Sequence, residues 1–134
     1  MKIDKFYILG IANGLKPKII LETIISMDLL PKSKIELLTD ANEGILVDYC
    51  RDQKLNYHIL DRNNLMSFFE DITISKHSLL VTIAWNVKLS GDFLNKFQKC
   101  INCHGGLLPD YRGNNTYMHA YANVEDYYGV TFII

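Results

Sequence analysis

Short apolar runs alternate with segments of helical spacing along almost the whole of this 134-residue chain. The first run, Phe6–Ile11, is followed by a stretch in which Ile20, Ile24 and Met27 recur at helical spacing. Five further apolar runs repeat the alternation, at residues 35–38, 57–60, 79–83, 100–103 and 129–134. Strands and helices that alternate in this way form mostly parallel sheets with helices on both faces. The sequence therefore predicts an α/β fold in one domain, residues 1–134.

Two unusual loops are predicted to converge at one edge of this Rossmann-like sheet. In such sheets ligands bind beyond the carboxyl ends of the strands, where the loops after Ile83 and after Cys103 both lie. A third loop, Gly10–Lys16, follows the first apolar run. It matches neither of the common phosphate-binding glycine patterns, so we predict an ordinary tight turn there. Asp40 follows the second run and is predicted, with Asn42, to cap the next helix.

Composition and charge exclude several classes of protein. Fourteen basic and fifteen acidic side chains give a net charge of −1, which offers no field that would gather nucleic acid or an anionic membrane. No apolar run approaches the ~18 residues of a membrane span, and the N-terminus does not read as a signal peptide. Three cysteines fit a reducing compartment better than a disulfide framework. We therefore expect a cytoplasmic protein with no membrane partner.

The segment Cys100–His104 spells the C-x-x-C-H pattern of haem attachment. Haem attachment of that kind requires export, which the N-terminus does not indicate. In a strand, residues three apart point to opposite faces, so Cys100 and Cys103 could not both hold one metal ion. We predict two buried strand cysteines and no metal site.

Asn102 and His104 are two residues apart, so they share one face of the predicted strand. An amide NH₂ and an imidazole NH side by side can donate to one developing oxyanion, and a histidine can also move protons near neutral pH. Gly105 and Gly106 would let a substrate or backbone approach closely. The alternative, taken on the pair alone, is that Asn102 caps a turn and His104 satisfies a buried carbonyl.

The run from Asn102 to Gly113 reads Asn-Cys-His-Gly-Gly-Leu-Leu-Pro-Asp-Tyr-Arg-Gly. It closely resembles the Asn-x-His-x-Ser-Leu-Leu-Pro-x-Tyr-Arg-Gly signature of the folate-dependent formyltransferases. Upstream, Val81–Leu89 resembles the strand and loop that wall the folate pocket in that family, and Gly129–Thr131 resembles the Gly-Val-Thr that begins its next strand. The resemblance covers the chain from Val81 onward, whereas residues 1–80 share only the alternation of strands and helices.

This resemblance implies transfer of a formyl group from N10-formyltetrahydrofolate to an amine. Asn102 and His104 would be the catalytic residues that bind the oxyanion, with His104 also a proton donor. The expected donor-binding residues are Trp85, Asn86, Val87 and Leu89, of which the first two depart from the Tyr-Gly common in the family. The expected acceptor-binding residues are Gly105, Gly106, Tyr111, Arg112 and Asn114, with Arg112 able to pair with a phosphate.

The family's third catalytic residue is an aspartate a few positions beyond its Gly-Val-Thr strand. Here the sequence ends at Ile134, within what reads as a buried strand, and neither Asp110 nor Asp126 occupies the matching position. We therefore expect a catalytic N-terminal domain that is C-terminally incomplete, and weak or inactive alone. Its partner would be another copy of the chain or a completing polypeptide.

For the acceptor, the resemblance favours a small-molecule amine, most simply a nucleotide-linked amino sugar. A tRNA acceptor is disfavoured because the chain has no basic surplus. Glycinamide ribonucleotide is disfavoured because that branch typically lacks the Tyr-Arg-Gly seen at Tyr111–Gly113. The alternatives left open are a fragment of the methionyl-tRNA formyltransferase type and a non-catalytic folate-binding or nucleotide-binding remnant.

Overall fold

A computed structural model describes residues 2–134 and arranges them around one six-stranded sheet. The strands are β1 (Lys5–Gly10), β2 (Ile35–Thr39), β3 (Asn56–Ile59), β4 (Ser78–Ile83), β5 (Lys99–His104) and β6 (Thr131–Ile133). Their order is β3-β2-β1-β4-β5-β6, with parallel pairing except between β5 and β6. The predicted α/β fold with a mostly parallel sheet is confirmed.

The strands are connected by five helices of very different lengths within residues 2–134. These are α1 (Leu15–Ser26), α2 (Ile45–Asp52), α3 (Phe68–Asp71), α4 (Gly91–Leu94) and α5 (Thr116–Ala122). Short 3-10 turns cover Lys32–Lys34 and Leu65–Ser67. Ser90 begins α4 by accepting a hydrogen bond from the Phe93 N–H at 3.2 Å, a side-chain cap of the kind that serine favours at helix starts.

Each face of the sheet has its own apolar core, because neighbouring residues of a strand point to opposite faces. The face against α1 and α2 carries an aliphatic cluster that includes Ile8, Leu21, Leu37, Leu46 and Val81. The opposite face carries a cluster rich in aromatic rings that includes Leu9, Leu38, Leu80, Phe68 and Phe93. Helices therefore cover both faces, as the alternation of the sequence predicted.

The cysteines of β5 divide between these two cores. Cys103 packs against the aliphatic cluster and Cys100 against the aromatic one, which confirms that they point to opposite faces. Both are half-buried rather than fully buried, and burial raises the pKa of each thiol. No cluster of potential metal ligands forms within the described part of the chain.

Two local predictions are wrong and one is confirmed. Asp40 and Asn42 do not cap α2, which begins at Ile45 with Gly44 as its N-cap residue and no side-chain cap. The Asp40 carboxylate instead accepts a hydrogen bond from the Ala12 N–H at 2.9 Å. The last strand is not buried, since Phe132 and its two successors lie exposed at the sheet edge. The loop Gly10–Lys16 does form a tight turn, closed by a hydrogen bond from the Gly14 N–H to the Ile11 carbonyl.

Candidate active site

Two cavities meet at the carboxyl ends of β4 and β5. The first, here called the polar cavity, has a volume of about 410 Å³ and is lined by Lys16 and residues 84–86, 102–105 and 113–117. The second, here called the apolar cavity, has a volume of about 370 Å³ and is lined by Thr82, Trp85, Val87, Leu89, Leu94, residues 100–102, Ile133 and Ile134. Trp85 and Asn102 line both. The predicted convergence of the two loops is therefore observed.

Asn102 lies between the two cavities with its amide held in one orientation. It pairs with Thr82 across the parallel β4–β5 ladder, and the Thr82 hydroxyl donates to Asn102 Oδ1 at 2.6 Å. With the amide oxygen engaged by this donor, the NH₂ group is left to donate elsewhere. Asn102 is exposed although it belongs to a strand, so the NH₂ is available to a ligand.

His104 lines the polar cavity, but one of its ring nitrogens is engaged by the backbone. Nε2 lies 2.6 Å from the Tyr111 carbonyl oxygen, which can only accept, so Nε2 carries a proton. Nδ1 has no hydrogen-bond partner among residues 2–134 and is the nitrogen left for chemistry. In neutral His104 this Nδ1 accepts a proton, and it becomes a donor once protonated. The alternative prediction for His104 was a hydrogen bond to a backbone carbonyl. That bond is present, and it leaves the second ring nitrogen available.

The loop after β5 is held by hydroxyl groups that bond to its backbone carbonyls. Thr116 and Tyr128 both donate to the Gly105 carbonyl, and Thr131 donates to the Gly106 carbonyl at 2.7 Å. A side chain at Gly106 would lie 2.6 Å from the Tyr111 carbonyl oxygen, so only glycine permits this close approach. These contacts keep the Tyr111 carbonyl where it accepts the hydrogen bond from His104.

The residues expected to bind the donor lie together on the loop after β4. Trp85, Val87 and Leu89 line the apolar cavity, whereas Asn86 lines only the polar cavity. The Trp85 indole is half-buried, and its Nε1–H is buried without a hydrogen-bond partner in the structure. An apolar slot walled by an indole and by aliphatic side chains suits a flat heteroaromatic ligand.

The residues expected to bind the acceptor are divided by the structure. Gly105 and Asn114 line the polar cavity, but Gly106, Tyr111 and Arg112 do not. The Tyr111 hydroxyl turns away to donate to Glu125, and it accepts from the Asn123 amide at 3.2 Å. Arg112 is exposed and forms no ion pair with any residue in 2–134, so its guanidinium is unengaged and the phosphate contact expected of it stays a prediction.

Sequence reasoning missed three side chains in or near the cavities. Lys16 is the cation that lines the polar cavity, and Thr82 orients Asn102. Arg62 donates to Asp40 at 2.7 Å and to Asn86 at 2.6 Å. No motif identifies these residues, because each acts on a partner far away in the sequence. Lys16 alone was within a loop that the sequence singled out.

Within residues 2–134, no carboxylate lines the polar cavity. Asp110 and Glu125 line a separate surface depression, and Asp126 lies with the tyrosines around α5. Neither aspartate is placed to orient His104. None of the helices described is long and apolar enough to cross a membrane.

Comparison with solved structures shows the fold. The chain is similar to the phosphoribosylglycinamide formyltransferase of Coxiella burnetii, with 20% identity and a TM-score of 0.69 over 98% of this chain and 65% of that one. It is similar to the enzyme of that name from Bacillus halodurans (18% identity, TM-score 0.72, 96% and 70%). It also resembles glycinamide ribonucleotide transformylase 1 of Geobacillus kaustophilus, with 14% identity and a TM-score of 0.73 over 98% of this chain and 73% of that one. The chain thus spans about two thirds of the length of these proteins.

No curated protein sequence matches the chain, but a family model does. The model described as formyl transferase matches residues 32–134, which include every residue predicted to be catalytic or ligand-binding. That family uses N10-formyltetrahydrofolate as its formyl donor. The expected resemblance is therefore confirmed over most of the chain, which belongs to the formyl transferase family.

Proposed function

We propose that this chain takes part in transferring a formyl group from N10-formyltetrahydrofolate to the amino group of a small molecule. The observation that carries the proposal is the position of Asn102, which borders both cavities with its amide oriented by Thr82. The formyl group would move from a ligand in one cavity to a ligand in the other. It would therefore move past the residue that borders both cavities. Trp85 is the other shared residue.

The apolar cavity is the better candidate for the donor. Its aliphatic side chains and the Trp85 indole can pack against a pterin ring. The cofactor supplies a formyl group at the oxidation level of an amide. These features support a folate ligand on the side of Val87 and Leu89, as the family resemblance also implies.

The chemistry assigned to this chain needs two groups near the formyl carbon. The Asn102 NH₂ donates to the carbonyl oxygen as that oxygen gains negative charge, and such oriented donors stabilise an oxyanion strongly. His104 Nδ1 takes the proton that the amine loses as its nitrogen bonds to the formyl carbon, and it returns that proton to N10 of the donor as the C–N10 bond breaks and tetrahydrofolate leaves. The bond from Nε2 to the Tyr111 carbonyl holds the ring in the tautomer that this step requires.

The acceptor is proposed to be a nucleotide-linked amino sugar in the polar cavity. Four asparagine amides line this cavity, Asn86, Asn102, Asn114 and Asn115, and amides suit a ligand with many hydroxyl groups. Lys16 supplies one positive charge for a phosphate, the role that Arg112 was expected to have. Glycinamide ribonucleotide, the substrate named for the similar solved structures, is the competing acceptor. The proposal retains a cytoplasmic location.

A second candidate function is donor binding without efficient transfer. It is favoured by the polar cavity having no carboxylate within residues 2–134. A carboxylate that orients a catalytic histidine is worth on the order of 10³ to 10⁴ in rate in comparable sites. We therefore expect these residues alone to bind the donor and to transfer formyl slowly.

The test combines donor binding with a transfer assay in which the two acceptors are compared. Asn102→Ala is expected to lower the transfer rate by about 10² to 10³ while leaving donor affinity nearly unchanged. His104→Gln keeps an NH donor for the Tyr111 carbonyl but removes the nitrogen that accepts a proton, so the rate should fall. Asn63→Ala, at an exposed asparagine that lines neither cavity, is the matched control.

The outcomes separate the candidates. Donor binding with transfer to the amino sugar supports the proposal, and preferential transfer to glycinamide ribonucleotide corrects the acceptor. Donor binding with no transfer to either amine favours the second function. A chain that does not bind tetrahydrofolate or its formyl derivative contradicts both.

A further inference from the structure

Arg62 joins the loops that follow the four strands on one side of the sheet. It comes three residues after β3, and its guanidinium donates through Nη1 to Asp40 Oδ2 just beyond β2, at 2.7 Å. The other oxygen of Asp40 accepts from the Ala12 N–H beyond β1, at 2.9 Å. Through Nη2, Arg62 donates to Asn86 Oδ1 beyond β4, at 2.6 Å. The sheet order β3-β2-β1-β4 means that one side chain reaches from an edge strand to a central one.

The same guanidinium covers the Trp85 indole. The central guanidinium carbon lies 5.6 Å from the centroid of the ring, within the range of a cation–π contact. Arg62 therefore contacts both Trp85 and Asn86, the two positions at which this chain departs from the Tyr-Gly common in its family. Because Trp85 lines both cavities, its placement affects the shape of both.

The backbone just before Trp85 needs such support. Ala84 has a φ of +51°, in the left-handed region that residues with a side chain rarely adopt. Conformations of that kind persist where the surrounding structure holds them in place. Asp40 is well suited to anchor the contact, since its side chain is only 17% exposed. Burial opposes ionisation, but the hydrogen bonds from Ala12 and Arg62 outweigh it and hold the pKa of Asp40 below its usual value.

We infer that Arg62 is a positioning residue that fixes Trp85 as the wall between the two cavities and so sets the affinity of the apolar cavity for its ligand. The control of Trp85 by Arg62 is independent of the ligand. Only the identification of that ligand as a reduced folate rests on the proposed function.

The chain provides a matched control in Arg51. That guanidinium lies 5.7 Å from the centroid of the Tyr57 ring and donates to the Asn42 carbonyl at 2.7 Å and to Asp48 at 3.4 Å. Its exposure, 43%, is close to the 39% of Arg62, but it lines neither cavity. Arg62→Met and Arg51→Met therefore remove comparable contacts near and far from the site.

The first measurement uses Trp85, which is the single tryptophan of the chain, as a fluorescent reporter. Arg62→Met is expected to shift its emission to the red and to increase its quenching by acrylamide, because the indole gains contact with water. Arg51→Met should leave emission and quenching unchanged, although both variants should lose similar amounts of thermal stability. Arg62→Lys, which keeps the charge but not the two-pronged geometry, should fall between Arg62→Met and the original chain.

The second measurement is the affinity for tetrahydrofolate by calorimetry, which we expect Arg62→Met to lower on the order of tenfold to a hundredfold. If Arg62→Met does not fold, Arg62→Lys and Asp40→Asn give the same comparison at smaller amplitude. Unchanged Trp85 quenching in these variants, or equal changes in Arg51→Met, would overturn the inference. If the original chain binds no folate but its quenching depends on Arg62, the proposed function fails and the positioning role stands.

Discussion

The centre of the sheet and the segment after β5 differ in how completely they are packed. Strands β2 and β4 are buried along their whole length, whereas within residues 105–134 only Gly106, Thr116 and Ala120 are buried. That segment is held by the pairing of β6 with β5 and by hydrogen bonds from hydroxyl groups to loop carbonyls. Asn102 and His104 lie where the two regions meet.

Stability and chemistry are therefore expected to depend on different parts of the chain. The buried strands give a packed platform, which holds Thr82, the partner of Asn102, in place. The exposed segment supplies the Tyr111 carbonyl for His104 and the asparagines of the polar cavity. Substitutions in the platform should change the free energy of unfolding, and substitutions at the boundary should change the reaction.

The largest effect on stability is expected from Phe93→Ala. Phe93 is fully buried among the aromatic rings of its core, with Phe69 and Phe97 at centroid distances of 5.2 and 5.8 Å. Its truncation should lower the free energy of unfolding by about 3–5 kcal/mol, measured by urea denaturation. Tyr121→Ala, at a ring 84% exposed on α5, should change it by less than about 0.5 kcal/mol. Comparable losses in both variants would contradict the division into two regions.

A smaller, pH-dependent effect is expected at Glu36. Glu36 is 8% exposed and forms a salt bridge with Lys5. Its carboxylate also accepts a hydrogen bond from His58 Nε2 at 2.7 Å. Burial opposes its ionisation, but the bonds to Lys5 and His58 outweigh that and lower the pKa of Glu36. Glu36→Gln should therefore destabilise the neutral-pH protein by about 1–3 kcal/mol.

The sign of the pH dependence follows from the lowered pKa. The stabilisation by Glu36 is present above the unfolded-state pKa of about 4.3 and is lost as the pH falls through the lower folded-state value. Urea titrations at a series of pH values should show this acid-side loss in the original chain and a smaller loss in Glu36→Gln. Glu43→Gln, at an exposed glutamate, should follow the original chain at every pH. An equal acid-side loss in Glu36→Gln would exclude this role.

The smallest effects on rate and stability are expected from substitutions at two buried threonines. One of them should change only the reaction and the other only the stability. Thr82→Val removes the donor that orients Asn102, so the transfer rate should fall about tenfold with little change in stability. Thr39→Val removes a hydroxyl that is buried without a partner, so it should stabilise the fold by about 1 kcal/mol and leave the rate unchanged. Urea denaturation and the transfer assay measure both. Equal rates in the two variants would show that the Thr82 bond does not orient the amide.

Much of the fold and part of the site could be predicted because they depend on spacing along the chain. The alternation of apolar runs indicated the parallel sheet, and the strand period placed Cys100 and Cys103 on opposite faces. Asn102 and His104 both reach the polar cavity, as their separation by two residues indicated. The exposure of the last strand was not predictable, since an apolar run looks the same in a core strand and in an edge strand.

Spacing along the chain was enough to predict the sheet, the family resemblance and the pair of residues at the end of β5. The folded chain alone shows that Thr82 orients Asn102, that the Tyr111 carbonyl engages His104, and that Arg112 lies outside the polar cavity. It likewise brought Arg62 to Asp40 and Asn86, 22 and 24 residues away. The physical reason is that periodicity encodes which face a residue occupies, whereas hydrogen-bond partners depend on the paths that separate loops take over the sheet edge.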